Sequence, residues 1–366
     1  MRVCVRSVLL FLPAVFFAVT AIAEGPAASF TAESVSGVSA LSVWFRDTSD
    51  PGSSVITAWA WDFGDGSEED PFAALPDPVH HYETPGTYTV SLTVTTTEGT
   101  DTVIQTGLVT VLATTVFRVA SANTSGTEDG LSWATAFNTI QEGVDAAFGA
   151  GGGEVWVARG SYTDSINAGT VDSNLGDDYC VVWMRNNVAL FGGFSGVENT
   201  RQERDPVSNP VIINGENIRR CIIVNADSSS MLDGFTLQNG YVTGNPAEGG
   251  GMYVSSVLSM GVRRCLFTEN TVLGSNGSSG SRTGKAGEGG ALAVAGGRIH
   301  ILETAFIDNN VTGGIGYNST FSGLAGVGGA ASGGAVSVSN AALAAWDVGF
   351  NGNTANGGKG GNRTDD

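Results

Sequence analysis

Few side chains in this sequence combine a reactive type with a useful spacing. The histidines are His80, His81 and His300. The His80-His81 pair could supply a base or a metal-binding nitrogen, but no third ligand or nucleophile stands at a matching spacing. The pair therefore reads as histidines hydrogen-bonded beside a sheet. Carboxylates offer more. Asp62 and Asp65 flank a glycine turn, and Asp177-Asp178 form a doublet. Oxygen donors of this kind suit calcium, so these four are the candidate metal ligands. Asp62 and Asp65 can equally close their turn by accepting backbone amides, with no metal. The doublets Arg219-Arg220 and Arg263-Arg264 lie 44 residues apart and read as a solvated charge ladder beside repeated strands. No residue is assigned a catalytic role: G-x-S-x-G, a P-loop and H-E-x-x-H are all absent.

The charge balance restricts the partners. Lys plus Arg total 17 against 36 Asp plus Glu, a formal charge of −19, and the lysines are Lys285 and Lys359. Nucleic acid and anionic membranes need a basic footprint, so both are excluded as partners. Divalent cations are admitted, and calcium is the one cofactor considered. Glycine contributes 53 of 366 residues, with 10 prolines and no G-X-Y period, which excludes collagen. A hydrophobic share of 42 % is too high for a disordered chain. The length allows two or three domains.

Residues 1–23 have the order of a cleaved export signal: Arg2 and Arg6, the apolar stretch Val8–Val19, then Ala21-Ile22-Ala23. The mature protein is expected to be secreted or extracellular at the cell surface, with no membrane insertion after cleavage. Cleavage removes two arginines and no acid, moving the charge to −21. It also removes Cys4. The remaining Cys180, Cys221 and Cys265 are odd in number and form no C-x-x-C, so neither a complete disulfide framework nor a zinc site is expected. They read as small buried hydrophobes.

Residues 24–112 alternate with period two. Leu41, Val43 and Phe45 share one face, as do Tyr88, Val90, Leu92 and Val94, and turn residues separate about seven short strands. Trp59 and Trp61 alternate into the core ahead of Asp62-Phe63-Gly64-Asp65-Gly66. This W-D-F-G-D-G, followed by His80-His81-Tyr82 and Pro85-Gly86-Thr87-Tyr88-Thr89-Val90, resembles the PKD domain. The resemblance implies an immunoglobulin-like sandwich serving as a spacer or contact module in surface proteins and secreted hydrolases. Trp61, Asp62, Gly64, Asp65 and Gly66 would then be structural.

After the connector Ala113-Thr114-Thr115, residues 116–366 carry one helical pattern, Phe137, Ile140, Val144, Ala147 and Phe148, stopping at Gly149. Short apolar runs follow. From Gly249 a unit repeats: GG-x-apolar, then F-x-x-N, with Phe267, Phe306 and Phe350 spaced 39 and 44 residues apart and Asn270, Asn309 and Asn353 three residues after each. Stacked turns of chain would align the Phe side chains in a core column and the Asn side chains in a ladder. This part resembles the right-handed parallel β-helix, the pectin lyase-like fold, and more narrowly the polymorphic outer-membrane-protein repeat. The resemblance implies surface display or adhesion; the helix is expected to cap the first coil by covering its open edge. The expected fold class is thus all-β, a sandwich followed by a parallel β-helix that is C-terminally incomplete or uncapped. The glycine-rich stretches 274–290 and 313–334 read as loops ejected at one corner.

The expected function is structural or adhesive, with loops on a rigid rod touching a polysaccharide or a cell-surface protein. The alternative is a carbohydrate-active enzyme, a polysaccharide lyase or glycoside hydrolase, with the PKD domain as accessory module.

Overall fold

The computed structural model describes residues 23–67, 73–167, 179–225, 229–244, 247–255, 257–317 and 327–360. The expected export signal and the Asp177-Asp178 doublet lie outside the described residues.

The first seven strands form two facing sheets. β1 (Phe30–Glu33), β3 (Leu41–Asp47) and β5 (Val79–Tyr82) make one, antiparallel in the order β1-β3-β5. β2 (Ser36–Val38), β4 (Ala58–Asp62), β6 (Gly86–Thr96) and β7 (Gly99–Leu112) make the other, in the order β2-β7-β6-β4. Alternation places Leu41, Val43 and Phe45 against Val90, Leu92 and Val94, with Trp61, Phe63 and Tyr82 in the same core. Trp59 is only partly buried. The opposite face of β3 is not solvated: Ser42 is buried, and Trp44 packs with Val79 and Leu302.

From Val116 onward the strands pair mostly in parallel, and each turn of chain adds a strand to several columns. One column holds Tyr179–Met184, Arg220–Asn225, Met252–Ser255, Leu292–Val294 and Val336–Val338. A second runs from Val116–Val119 through Gly153–Ala158, Val188–Phe194, Ser229–Asp233 and Val257–Arg263. A third holds Gly160–Tyr162, Val211–Asn214, Phe235–Gln238 and Leu266–Thr268. The long strands Gly297–Ile307 and Ala341–Asn351 continue both of these. A fourth holds Tyr241–Gly244, Thr271–Gly274, Asn310–Thr312 and Thr354–Asn356. One buried apolar cluster runs through the whole stack.

Like side chains lie over like. Phe267, Phe306 and Phe350 stack with ring centroids 4.9 and 5.2 Å apart. Asn270 donates through Nδ2 to Asn309 Oδ1, and Asn309 to Asn353 Oδ1, each at 2.8 Å. The GG pairs sit beside this ladder for two separate reasons. Gly249, Gly289 and Gly333 adopt φ of +62°, +61° and +63°, the left-handed region. The next glycine of each pair lies against the residue following the ladder Asn, where a Cβ would strike the backbone of Thr271, Asn310 or Thr354.

The helix α1 (Ile140–Gly149) starts at a capping box of Thr139 and Glu142 and buries Ile140, Val144 and Ala147 against Val116–Val119 and Gly153–Ala158. Phe137 precedes the helix and bridges to Val119, and Phe148 is exposed, so the apolar face is narrower than its spacing suggests.

The glycine-rich stretches differ from the expected ejected loops. Where described, they pack backbone to backbone: Lys285 N–H donates to Ser275 O, Gly314 to Lys285 O, Gly329 to Gly314 O and Gly358 to Gly329 O, each at 2.8 Å. At Gly284, Gly314, Gly329 and Gly358 any Cβ would collide with a neighbouring main chain. Glycine here permits close approach of backbones rather than looseness.

Candidate functional site: the inter-domain junction and the outer groove

The W-D-F-G-D-G turn is built from its own side chains. Asp62 Oδ1 accepts the Gly64 amide at 2.9 Å, and Gly64 and Gly66 take φ of +77° and +79°. Asp65 Oδ1 accepts from the Ser67 amide and hydroxyl, and Oδ2 faces His80 Nε2 at 2.8 Å. These bonds hold the Asp65 carboxyl down at about 2, against the opposing cost of burial. Asp62 and Asp65 thus serve the turn, and among the described residues no cluster of three or more His, Cys, Asp or Glu could hold a metal ion.

His81 and the far face of β3 meet the parallel stack. Just past β5, Glu83 bridges two arginines of the stack: Oε1 to Arg263 Nη1 at 3.0 Å and Oε2 to Arg201 Nη2 at 3.3 Å. Arg201 also binds the Glu83 carbonyl and, through Nη1, the buried Glu154 at 2.8 Å. Ser39 donates to Glu154 Oε1 at 2.9 Å, and Trp156 Nε1 to Oε2 at 2.8 Å. Trp44 Nε1 donates to Ser259 Oγ at 2.9 Å. Arg298 pairs with Glu33 of β1. Between these charges His81 lies against His300, ring centroids 4.1 Å apart. Burial keeps both rings neutral, His300 down at about 3, with Arg263 adding to the effect.

A groove of about 510 Å³ opens on the outer face of the third column. Pro206 and Pro210 form one side; Thr236, Leu266 and Ala305 supply the floor; Arg264, Glu303 and Asp347 form the other side. These last three adopt φ of +48°, +49° and +51° and stack at one corner, beginning with Gly234 at +85°. This corner leaves no mark in the sequence, since three of its four positions are not glycine. At its base Asp233, 1 % exposed, is clamped by Arg204 at 2.8 Å and Arg264 at 2.6 Å. The two guanidiniums hold its carboxyl below the usual range against a large cost of burial.

The arginine doublets therefore form no solvated ladder. Arg220 is buried over the Tyr253 ring, Arg219 pairs with Glu216, Arg263 joins the junction and Arg264 joins Asp233. They also lie in different columns: Arg220 pairs in register with Cys180, whereas Arg263 pairs with Asp233. Cys221 and Cys265 are consequently not equivalent positions. All three described cysteines are buried, and burial pushes the Cys221 and Cys265 thiols up to about 12. Cys265 sits beside Thr304, whose partner across the next rung is Val348.

Among the described residues no helix is long and apolar enough to cross a membrane. No curated protein matches the chain. Among solved structures, the PKD1 domain of Vibrio anguillarum Epp is 33 % identical with a TM-score of 0.21, covering 25 % of this chain and 100 % of that one. The PKD1 domain of the Vibrio cholerae metalloprotease PrtV is 34 % identical with a TM-score of 0.20, covering 24 % and 99 %. A structure explaining the promiscuous specificity of carbohydrate-binding modules of the β-sandwich superfamily is 28 % identical with a TM-score of 0.23, covering 30 % and 40 %. A family model matches residues 18–111, overlapping the end of the expected export signal and stopping one residue before the expected domain boundary. The N-terminal module of this chain, residues 18–111, belongs to the PKD domain family.

Proposed function

We propose that this is an exported surface or secreted protein with a structural and adhesive role, in which residues 116–366 wind as a right-handed parallel β-helix of the polymorphic outer-membrane-protein type. The PKD module is the contact or spacer head, and the groove beside Arg264, Glu303 and Asp347 receives an extended glycan or peptide. The observation that carries this reading is the junction. Arg201, Glu83 and Arg263 tie the PKD sheet to the flank of the stack, so head and rod present their surfaces in a fixed relation. Asp233, the most buried carboxylate beside the groove, has both oxygens engaged by arginines, which suits a bracing role better than the proton transfer that a lyase or hydrolase requires. The test is binding of the full chain to an array of neutral and acidic polysaccharides, with Ala305→Trp filling the groove floor. Loss of a detected ligand in that variant supports the reading. Depolymerisation of a bound polysaccharide would replace it with the enzyme alternative.

A further inference from the structure

The PKD–stack junction buries histidine in a way that the ion pairs around it do not require. His81 Nε2 and both ring nitrogens of His300 have no hydrogen-bond partner among the described residues, and neither has Arg263 Nε. His81 retains one bond, Nδ1 to Ser42 Oγ at 2.9 Å. His300 is fully buried between the PKD sheet and the stack, edge-on to Trp44 at 6.3 Å. Gly261, one rung below, lies between this ring and Met231, and a Cβ there would strike both His300 Nε2 and Met231 Sδ. Buried ring nitrogens without partners are costly, and two rings that carry three of them, facing each other across a domain boundary, form a charge-sensitive contact.

We propose that this junction is a proton-operated latch: acidification charges His81 and His300 and frees the PKD module from the flank of the stack, while both domains stay folded and joined through residues 113–115. The surrounding charges set the direction. Arg263 from the neighbouring rung faces both rings, and Arg298 lies two residues away on the strand of His300, so a protonated imidazole adds positive charge to a positive neighbourhood. Glu83 is committed to Arg263 and Arg201, Glu154 to Arg201, and Glu33 to Arg298. His80 on the same strand is paired with Asp65 on the far side of the sheet. No carboxylate is left to receive the new charge among these groups.

The closed junction keeps its histidines neutral, whereas the open one returns them to the usual value of ~6.5. Closure is therefore fully favoured above that value and weakens as pH falls towards the buried values. Each histidine contributes up to about tenfold per pH unit to the opening equilibrium. Carboxylates lose charge only near ~4, so the histidine window lies above theirs.

The experiment is small-angle scattering of the full chain from pH 7.5 to 4.5, with far-ultraviolet circular dichroism on the same samples. The expected result is a rise in radius of gyration between about pH 6 and 5 with unchanged strand signal. His81→Asn combined with His300→Leu should remain compact through that interval. The latch is wrong if the native chain stays compact down to pH 4.5, or if the double variant expands at the same pH as the native chain. Should that variant fail to fold, the imidazole Cε1 proton resonances of the native chain decide the matter. Rings that stay neutral until expansion support the latch, and a His300 titrating near ~6.5 in the compact state overturns it.

Discussion

Asn309 lies over Asn270 and makes four side-chain hydrogen bonds to its neighbours. Its Oδ1 accepts from the Asn270 amide at 3.1 Å and from Asn270 Nδ2 at 2.8 Å, while its own Nδ2 donates to Phe267 O at 3.0 Å and to Asn353 Oδ1 at 2.8 Å. Both residues are fully buried. One side chain thus satisfies main-chain groups of its neighbours and passes the same demand to the next rung, which is why the same residue type returns at each turn.

Asn309→Leu removes all four bonds at once and leaves the Phe267 carbonyl and the Asn270 amide buried without partners. At roughly 1–3 kcal/mol for each unsatisfied group, the loss should reach about 3 kcal/mol or more. Asn353→Leu removes three such bonds, to the Asn309 amide, Asn309 Nδ2 and the Phe306 carbonyl, at a half-buried position, and should cost less. Urea unfolding of the two variants, with unchanged m, measures the difference.

Gly329 tests whether the glycine-rich segments are packed or ejected as loops. A Cβ on Gly329 would overlap the Lys285 main chain, whereas a Cβ on Gly280 meets nothing within 4 Å. Gly329→Ala should therefore destabilise by about 1–3 kcal/mol, the usual cost of overpacking. Gly280→Ala should be neutral or slightly stabilising, through the unfolded chain. Thermal unfolding of the pair checks this; equal melting temperatures would restore the loop reading.

The sequence displayed the parts that repeat and concealed those that occur once. F-x-x-N and GG were legible because stacking forces the same side chain on successive rungs. The rung before them was invisible: Leu237 occupies the Phe position over Phe267, and Gly240 offers a main-chain amide to Asn270 Oδ1 at 2.8 Å in place of a side chain. The W-D-F-G-D-G turn was legible because its bonds are local. The junction was not, since Glu83 meets residues 118 and 180 positions away and nothing near it in the chain records that. Period-two reading of β3 located its core face and said nothing of what covers the other, where the stack lies over Ser42 and Trp44. The glycine-rich stretches read as ejected loops because composition alone does not distinguish a protruding backbone from one packed against another.

Asp233 provides the sharpest electrostatic test. It is almost completely buried between Arg204 and Arg264, and its carboxyl is held below the ordinary value. A depressed carboxylate contributes stability that is present above the unfolded value of ~3.9 and is lost as pH falls through the folded one. Asp233→Asn keeps the shape, removes the charge and leaves Arg204, itself 6 % exposed, without its counter-ion. Breaking a buried pair in this manner costs about 3–5 kcal/mol. The native chain should lose stability steeply below about pH 4, while the variant, already weakened at pH 7, should show a shallower acid limb. Urea midpoints collected from pH 7 to 3 measure both slopes. Parallel limbs would mean that Asp233 is not among the groups that set the acid sensitivity of the stack.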